Sequence, residues 1–167
     1  SRPVQRIKNV EHLRSFQFPE DSGPTAHPIK PSSYMQINNF YTATVYQKGS
    51  EIIGMISTLL GEETFKKGIT KYFELYDGQA VTTEDFVHAM EVTSGRDLTQ
   101  FKKWYSQVGT PRIAVSRRYN AAERRFSLTI KQHGELHFPL SIGLLDGDGN
   151  DIVDTILEVT KSEETFV

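Results

Sequence analysis

The hydrophobic period of this chain changes at Gly109-Thr110-Pro111, and that change limits what it can fold into. Before it, apolar residues recur every three or four positions, the helical spacing. After it they recur every second position, the strand spacing. On the helical side, Val4, Ile7, Val10, Leu13 and Phe16 are spaced by three, which predicts a short helix over 4–16 that admits a 3₁₀ turn. Pro19, Pro24, Pro28 and Pro31 then predict an ordered loop over 18–33, because each Pro biases the residue before it away from helix. A helix is predicted over 42–60, with Val45, Ile52, Ile53, Ile56, Leu59 and Leu60 on one broad face and Gly61 ending it. Another runs over 62–75, with Phe65, Ile69, Tyr72, Phe73 and Tyr76 as its inner stripe. A helix over 83–93 starts from Thr82 with Asp85 completing a capping box, and Gly95 stops it. The last helix, over 98–107, is capped by Asp97 and presents Leu98, Phe101, Trp104 and Tyr105.

Beyond residue 110, Ile113 and Val115, then Phe126, Leu128 and Ile130, then Phe138, Leu140, Ile142 and Leu144 alternate with other side chains. Turns are expected at 119–123, at His133-Gly134 and at Asp146-Gly147-Asp148-Gly149-Asn150. The fold class read from this pattern is α+β. An antiparallel helical cluster over 1–109 is followed by a small antiparallel β-sandwich over 110–167. The ending Thr165-Phe166-Val167 has strand character, so a further strand is expected beyond it.

With 167 residues, 37% of them hydrophobic, the chain can bury a real core, and 10 Phe and 7 Tyr make that core aromatic. A net charge of −2 offers nothing to a polyanion, so nucleic acid is not an expected partner. No apolar run reaches the roughly 18 residues of a membrane span. The absence of cysteine excludes disulfides and thiolate metal sites and suits a reducing compartment, so the expected location is cytoplasmic. The chain opens on Ser1-Arg2-Pro3 without an initiator Met, in mid-pattern, and reads as a piece of a longer protein.

Motifs with their own chemistry are missing. There is no His-Glu-x-x-His, no Gly-x-Ser-x-Gly, no phosphate-binding glycine loop. His133 and His137 are four apart but lack the zincin order, and a polar hairpin is the expected reading. Asp146 to Asp151 begins like a calcium loop, but Asp151 and Leu157 stand where that loop needs Gly and Glu. His27 is expected to be satisfied by backbone hydrogen bonds. Arg117-Arg118 and Arg124-Arg125, facing each other across a hairpin, are expected to be a solvated surface.

One stretch is more polar and aromatic than packing needs: Asn38-Asn39-Phe40-Tyr41-Thr42-Ala43-Thr44-Val45-Tyr46-Gln47-Lys48-Gly49. It runs into the apolar helix that follows. Tyr46 falls at the edge of that helix's apolar face, and Gly49, three residues on, is expected to leave the surface beside it open.

This segment resembles the corresponding one of the bacterial aminopeptidase N family, zinc-dependent alanyl aminopeptidases of the gluzincin group. Val4-Gln5-Arg6-Ile7, Phe18 to Pro28, Leu59-Leu60-Gly61-Glu62-Glu63 and Trp104 to Pro111 resemble that family too, in the same order. The resemblance covers nearly the whole chain. It implies the C-terminal helical part of a thermolysin-like catalytic domain followed by a β-sandwich domain. It also implies hydrolysis of N-terminal residues from peptides by a zinc-activated water. The family's zinc ligands, its general-base Glu and its Gly-Ala-Met-Glu-Asn segment are absent here, so the resemblance implies zinc in the parent protein and no metal held by this chain. Tyr46 matches the family's catalytic tyrosine, which implies a hydrogen bond from its hydroxyl to the developing oxyanion. Tyr41 and Asn38 are implied to be substrate-binding residues of the cleft.

Two departures from the family pattern stand out. Gln47 occupies the position where Glu is common, and the 131–138 region is short. The chain alone is expected to be inactive and, lacking its other half, to self-associate. The rival expectation is a non-catalytic helical and β-sandwich module that binds a protein partner.

Overall fold

The computed structural model describes residues 1–167. It is α+β, and its chain divides into two compact units, Ser1–Thr110 and Pro111–Val167.

The first unit is helical. α1 (Arg2–His12) passes without a break into a π turn (Leu13–Gln17) and then α2 (Phe18–Ser22). His12, Gln17 and Phe18 at the junctions all have right-handed helical backbone. The helix therefore extends six residues past the expected 4–16, and its irregular turn is wider than α, not tighter. Pro19 is the physical reason. It lacks an N–H, and its ring crowds the carbonyl one turn back. A turn in which the Phe18 N–H bonds the Leu13 carbonyl, five residues back, gives room for it. The residues after Ser22 form the expected loop, which ends in a 3₁₀ turn (Ile37–Phe40).

A second π turn (Thr44–Lys48) leads into α3 (Gly49–Leu60). Ile52, Ile56 and Leu59 are buried, but Ile53 is exposed, so the apolar face of α3 is narrower than its sequence suggests. Gly61, at φ 78° and ψ 152°, takes a backbone conformation essentially reserved for glycine and joins α3 to α4 (Glu62–Tyr76). α5 (Thr83–Ser94) begins with the Thr82–Asp85 capping box and ends at Gly95 in the left-handed region. Tyr72 of α4 meets Phe86 of α5 edge to face, with ring centroids 5.4 Å apart. Gly68 lets α4 approach Met90, which is completely buried. Phe73, expected on the inner stripe, is exposed instead.

The last helix is only α6 (Lys103–Ser106). The segment before it is a set of overlapping turns, started by Asp97 Oδ1 accepting from the Thr99 N–H. The stripe still packs, with Leu98, Phe101, Trp104 and Tyr105 all buried.

The second unit holds two antiparallel sheets. β1 (Ile113–Asn120), β2 (Arg125–Gln132) and β5 (Glu163–Phe166) form one, in the order β1-β2-β5. β3 (Phe138–Leu145) and β4 (Asp151–Val159) form the other. Ile130, Leu136, Phe138 and Val159 are its buried apolar residues. The turn at 133–134 therefore carries the chain between sheets and does not close a hairpin. Gln132 organises it. Its side chain donates to the Leu136 and Lys161 carbonyls and accepts from the Leu136 N–H. β1 presents Ile113, Val115 and Tyr119 as exposed side chains, so its alternation marks a strand but not a buried face.

Candidate catalytic tyrosine and its support

Tyr46 sits in the middle of the π turn that opens the α3 helix, and 58% of it is exposed. The residues two before and two after it, Thr44 and Lys48, are buried. A single turn thus presents its centre outward and anchors both ends inward.

The anchors are consecutive carboxylates of α2. Glu20 Oε1 accepts from both the Thr44 backbone N–H (2.7 Å) and the Thr44 hydroxyl (2.6 Å). This satisfies an N–H that a helix start leaves without an intrahelical partner, and it places an anion where the helix dipole favours one. Gln17 of the first π turn donates to Thr44 Oγ1 at 3.3 Å. Asp21 Oδ2 accepts from Lys48 Nζ at 2.7 Å and from Thr110 Oγ1 at 3.1 Å, while Oδ1 accepts from the Gly109 N–H at 3.0 Å. Lys48 Nζ also donates to the Gly109 carbonyl at 3.0 Å. Burial pushes the Asp21 carboxyl up. The hydrogen bonds from Lys48 and Gln17, the Lys48 charge and the Gly109 N–H outweigh it and hold the group below its ordinary value.

His27 closes the entrance to this helix. Its Nδ1 is 2.8 Å from the Thr25 carbonyl, which can only accept, so Nδ1 carries a proton. In the neutral ring Nε2 then accepts from the Thr42 hydroxyl at 2.8 Å, and Thr42 Oγ1 accepts from the Val45 N–H. The expected backbone bond exists, together with a side-chain bond that the sequence did not suggest.

Tyr41 lies beside Tyr46, with ring centroids 6.4 Å apart and planes 25° from parallel. The two line a groove of about 390 Å³ with His12, Phe16, Glu20 and Gln47. A second groove of about 430 Å³ runs from Tyr46, Gln47, Ser50 and Glu51 to α1. Asn38 is on the 3₁₀ turn, exposed, and lines neither groove; its carbonyl accepts from the Tyr41 N–H. Gly49 is not what leaves Tyr46 open. It is buried, and a side chain there would touch Ile29.

No three His, Asp or Glu side chains of this chain converge. His137 is buried and bonded to Glu158 at 2.7 Å, while His133 is exposed. Asp146 is the hub of a tight turn, accepting from the Asp148 and Asn150 N–H groups and from the Asn150 amide. The backbone and side-chain bonds from Asn150 hold its carboxyl below the ordinary range. In the β1–β2 hairpin, Arg117 pairs with Leu128, Arg118 with Ser127 and Arg125 with Asn120, so the arginines do not face each other.

Sequence reasoning missed Thr44, Glu20, Asp21 and Gln17. No local pattern marks a polar residue that is buried by partners tens of positions away.

Comparison with known proteins bears on the family and the fold. A family profile described as the peptidase family M1 domain matches residues 5–105. A second, described as a domain of unknown function (DUF3458) with an Ig-like fold, matches residues 109–167. Aminopeptidase N of Escherichia coli (strain K12) is 48% identical over 185 aligned residues, which cover 100% of this chain and 21% of that protein. Aminopeptidase N of Haemophilus influenzae is 42% identical, covering 99% of this chain and 21% of that protein. The crystal structure of Legionella pneumophila aminopeptidase A in complex with aspartic acid superposes with a TM-score of 0.80 at 34% identity, over 83% of this chain and 17% of that one. The chain thus spans about a fifth of the length of these relatives. It belongs to peptidase family M1.

Proposed function

We propose that this chain is part of a zinc-dependent aminopeptidase that removes N-terminal residues from peptides, and that its chemical contribution is the Tyr46 hydroxyl. The observation that carries this reading is the exposed Tyr46 ring on a turn whose two ends are tied down inside the protein. A phenol so held is a preorganised donor. As water adds to the first peptide carbonyl, the oxygen gains charge, and a fixed O–H aimed at it binds that state more tightly than the neutral carbonyl. Tyr41 and Asn38 are proposed to contact the substrate, Tyr41 through the face it shares with Tyr46. The metal ligands and the general base belong to residues outside this chain, so the chain by itself is proposed to be inactive.

Residues 1–109 would be the C-terminal helical part of the thermolysin-like catalytic domain, and 110–167 the β-sandwich domain. No helix here is long and apolar enough to cross a membrane. The cytoplasm is the location we propose, and peptides are the partners. Val4, Ile7, Phe16, Met35 and Ile37, all exposed, support self-association of the chain when isolated.

The test is a substitution in the full-length enzyme. Tyr46→Phe keeps the ring and removes the donor, and kcat on an alanyl chromogenic peptide should fall by about 10²–10³ with bound zinc unchanged. A near-normal kcat refutes the role. The isolated chain, given zinc and the same substrate, should show no turnover above blank.

A further inference from the structure

A π turn carries a poorer hydrogen-bond ladder than an α turn, so it persists where something holds it. Here the turn Thr44–Lys48 is held at both ends by neighbouring residues of one helix. Glu20 takes both donors of Thr44, and Asp21 takes the ammonium of Lys48. Asp21 is itself fixed by Gly109 and Thr110. Thr44, Lys48 and Asp21 are buried, and they bond to one another or to Gln17, Glu20, Gly109 and Thr110, not to the Tyr46 phenol.

We infer that the Glu20–Thr44 and Asp21–Lys48 pairs are positioning residues for Tyr46. They hold the turn open and so set the direction in which the hydroxyl points. The inference rests on the oxyanion role proposed above. Its geometric content is simple. Closing the π turn to α removes one residue from the register, and one residue is about 100° of rotation about a helix axis. A phenol hydroxyl swung through that angle leaves hydrogen-bond range of any fixed point, and misplacement by even about 1 Å can cost 10²-fold in rate.

The experiment uses the full-length enzyme, with Thr44→Val, Thr44→Ser and Lys48→Met made in the native and the Tyr46→Phe backgrounds. In the native background, Thr44→Val and Lys48→Met should lower kcat about tenfold or more while KM moves less than about threefold. Thr44→Ser, which keeps the hydroxyl, should restore the rate. In the Tyr46→Phe background the same substitutions should change kcat by less than about threefold, because the donor they position is gone.

Equal losses in both backgrounds, or no loss in the native one, overturn the inference. Should Lys48→Met fail to fold, judged by zinc content and circular dichroism, the Thr44→Val and Thr44→Ser pair decides alone. Failure of the oxyanion reading looks different: Tyr46→Phe by itself then leaves kcat intact. A large Tyr46→Phe effect with additive network variants sinks only the positioning role.

Discussion

Replacing Asp21 with Asn tests the physical account of the helical unit most severely. Asp21 is 4% exposed, and its carboxylate accepts hydrogen bonds from Lys48, Gly109 and Thr110. An amide of the same shape keeps one acceptor and turns a second donor toward groups that are already donors. Lys48, 6% exposed, then keeps its charge with no anion beside it, and only neutral oxygens, such as the Gly109 carbonyl, accept from it. Removing one partner of a buried pair costs about 3–5 kcal/mol, because the other charge is left uncompensated. A unit of 110 residues has about 5–16 kcal/mol in all, at roughly 0.05–0.15 per residue. The substitution should therefore remove between about a fifth and most of the stability.

Urea unfolding followed by fluorescence measures this loss in the right unit, since Trp104 is the sole tryptophan and is buried in the helical part. With a slope of about 1.5–2 kcal/mol per molar, the midpoint should fall by about 1.5–3 M. Asp21→Asn combined with Lys48→Met should recover most of the loss, because it removes the stranded charge. A loss below about 1 kcal/mol for Asp21→Asn alone would refute the reasoning, since it would mean that water reaches Lys48.

Acid should act on the same group. The folded Asp21 carboxyl titrates below its ordinary value, so its stabilisation is fully present above the unfolded pKa of about 3.9 and is lost as pH falls through the lower folded value. Trp104-monitored unfolding should be insensitive to this group from pH 7 to about 4, and the Asp21→Asn variant should lose part of the decline seen below that. Glu84, pulled to about 2 chiefly by its hydrogen bond to Lys30, adds little because both side chains are about half exposed. Gly68→Ala would drive a methyl into the Met90 sulfur. The cost of overpacking, about 1–3 kcal/mol, should exceed the roughly 1 kcal/mol gained in helix propensity, and a more stable variant in urea would contradict this. Gln132→Leu strands the buried Leu136 N–H, so deuterium exchange at that amide should accelerate strongly, and unchanged protection would argue against the bridge.

What could be read from the chain follows from how far its signals reach. The capping box of α5 and the glycine that ends it are local, with every determinant inside Thr82 to Gly95, and the structure repeats them. The extents of α4, β1 and β2 were legible in the same way, though which of their side chains are buried was not. The short α6 shows the next step outward. Its buried stripe was legible, but its backbone bonds three residues back at Lys103, Trp104 and Tyr105, so only Lys103–Ser106 is α-helix.

The stretch through Pro19 marks where local reading stops. Four prolines argued for a loop from Phe18 onward, and the helix nonetheless continues to Ser22. What sustains it there is not in the stretch. Glu20 reaches Thr44, 24 positions on, and Asp21 reaches Gly109, 88 positions on.

The sequence by itself therefore determined the class of most segments, through periodicity and caps, and pointed to Tyr46 through its likeness to a family. Only the tertiary structure decided how that tyrosine is presented. A π turn has no periodicity of its own to announce it. Charged residues such as Asp21 and Lys48 look like solvated surface until the fold brings them together, and burial makes sense for them only as a pair.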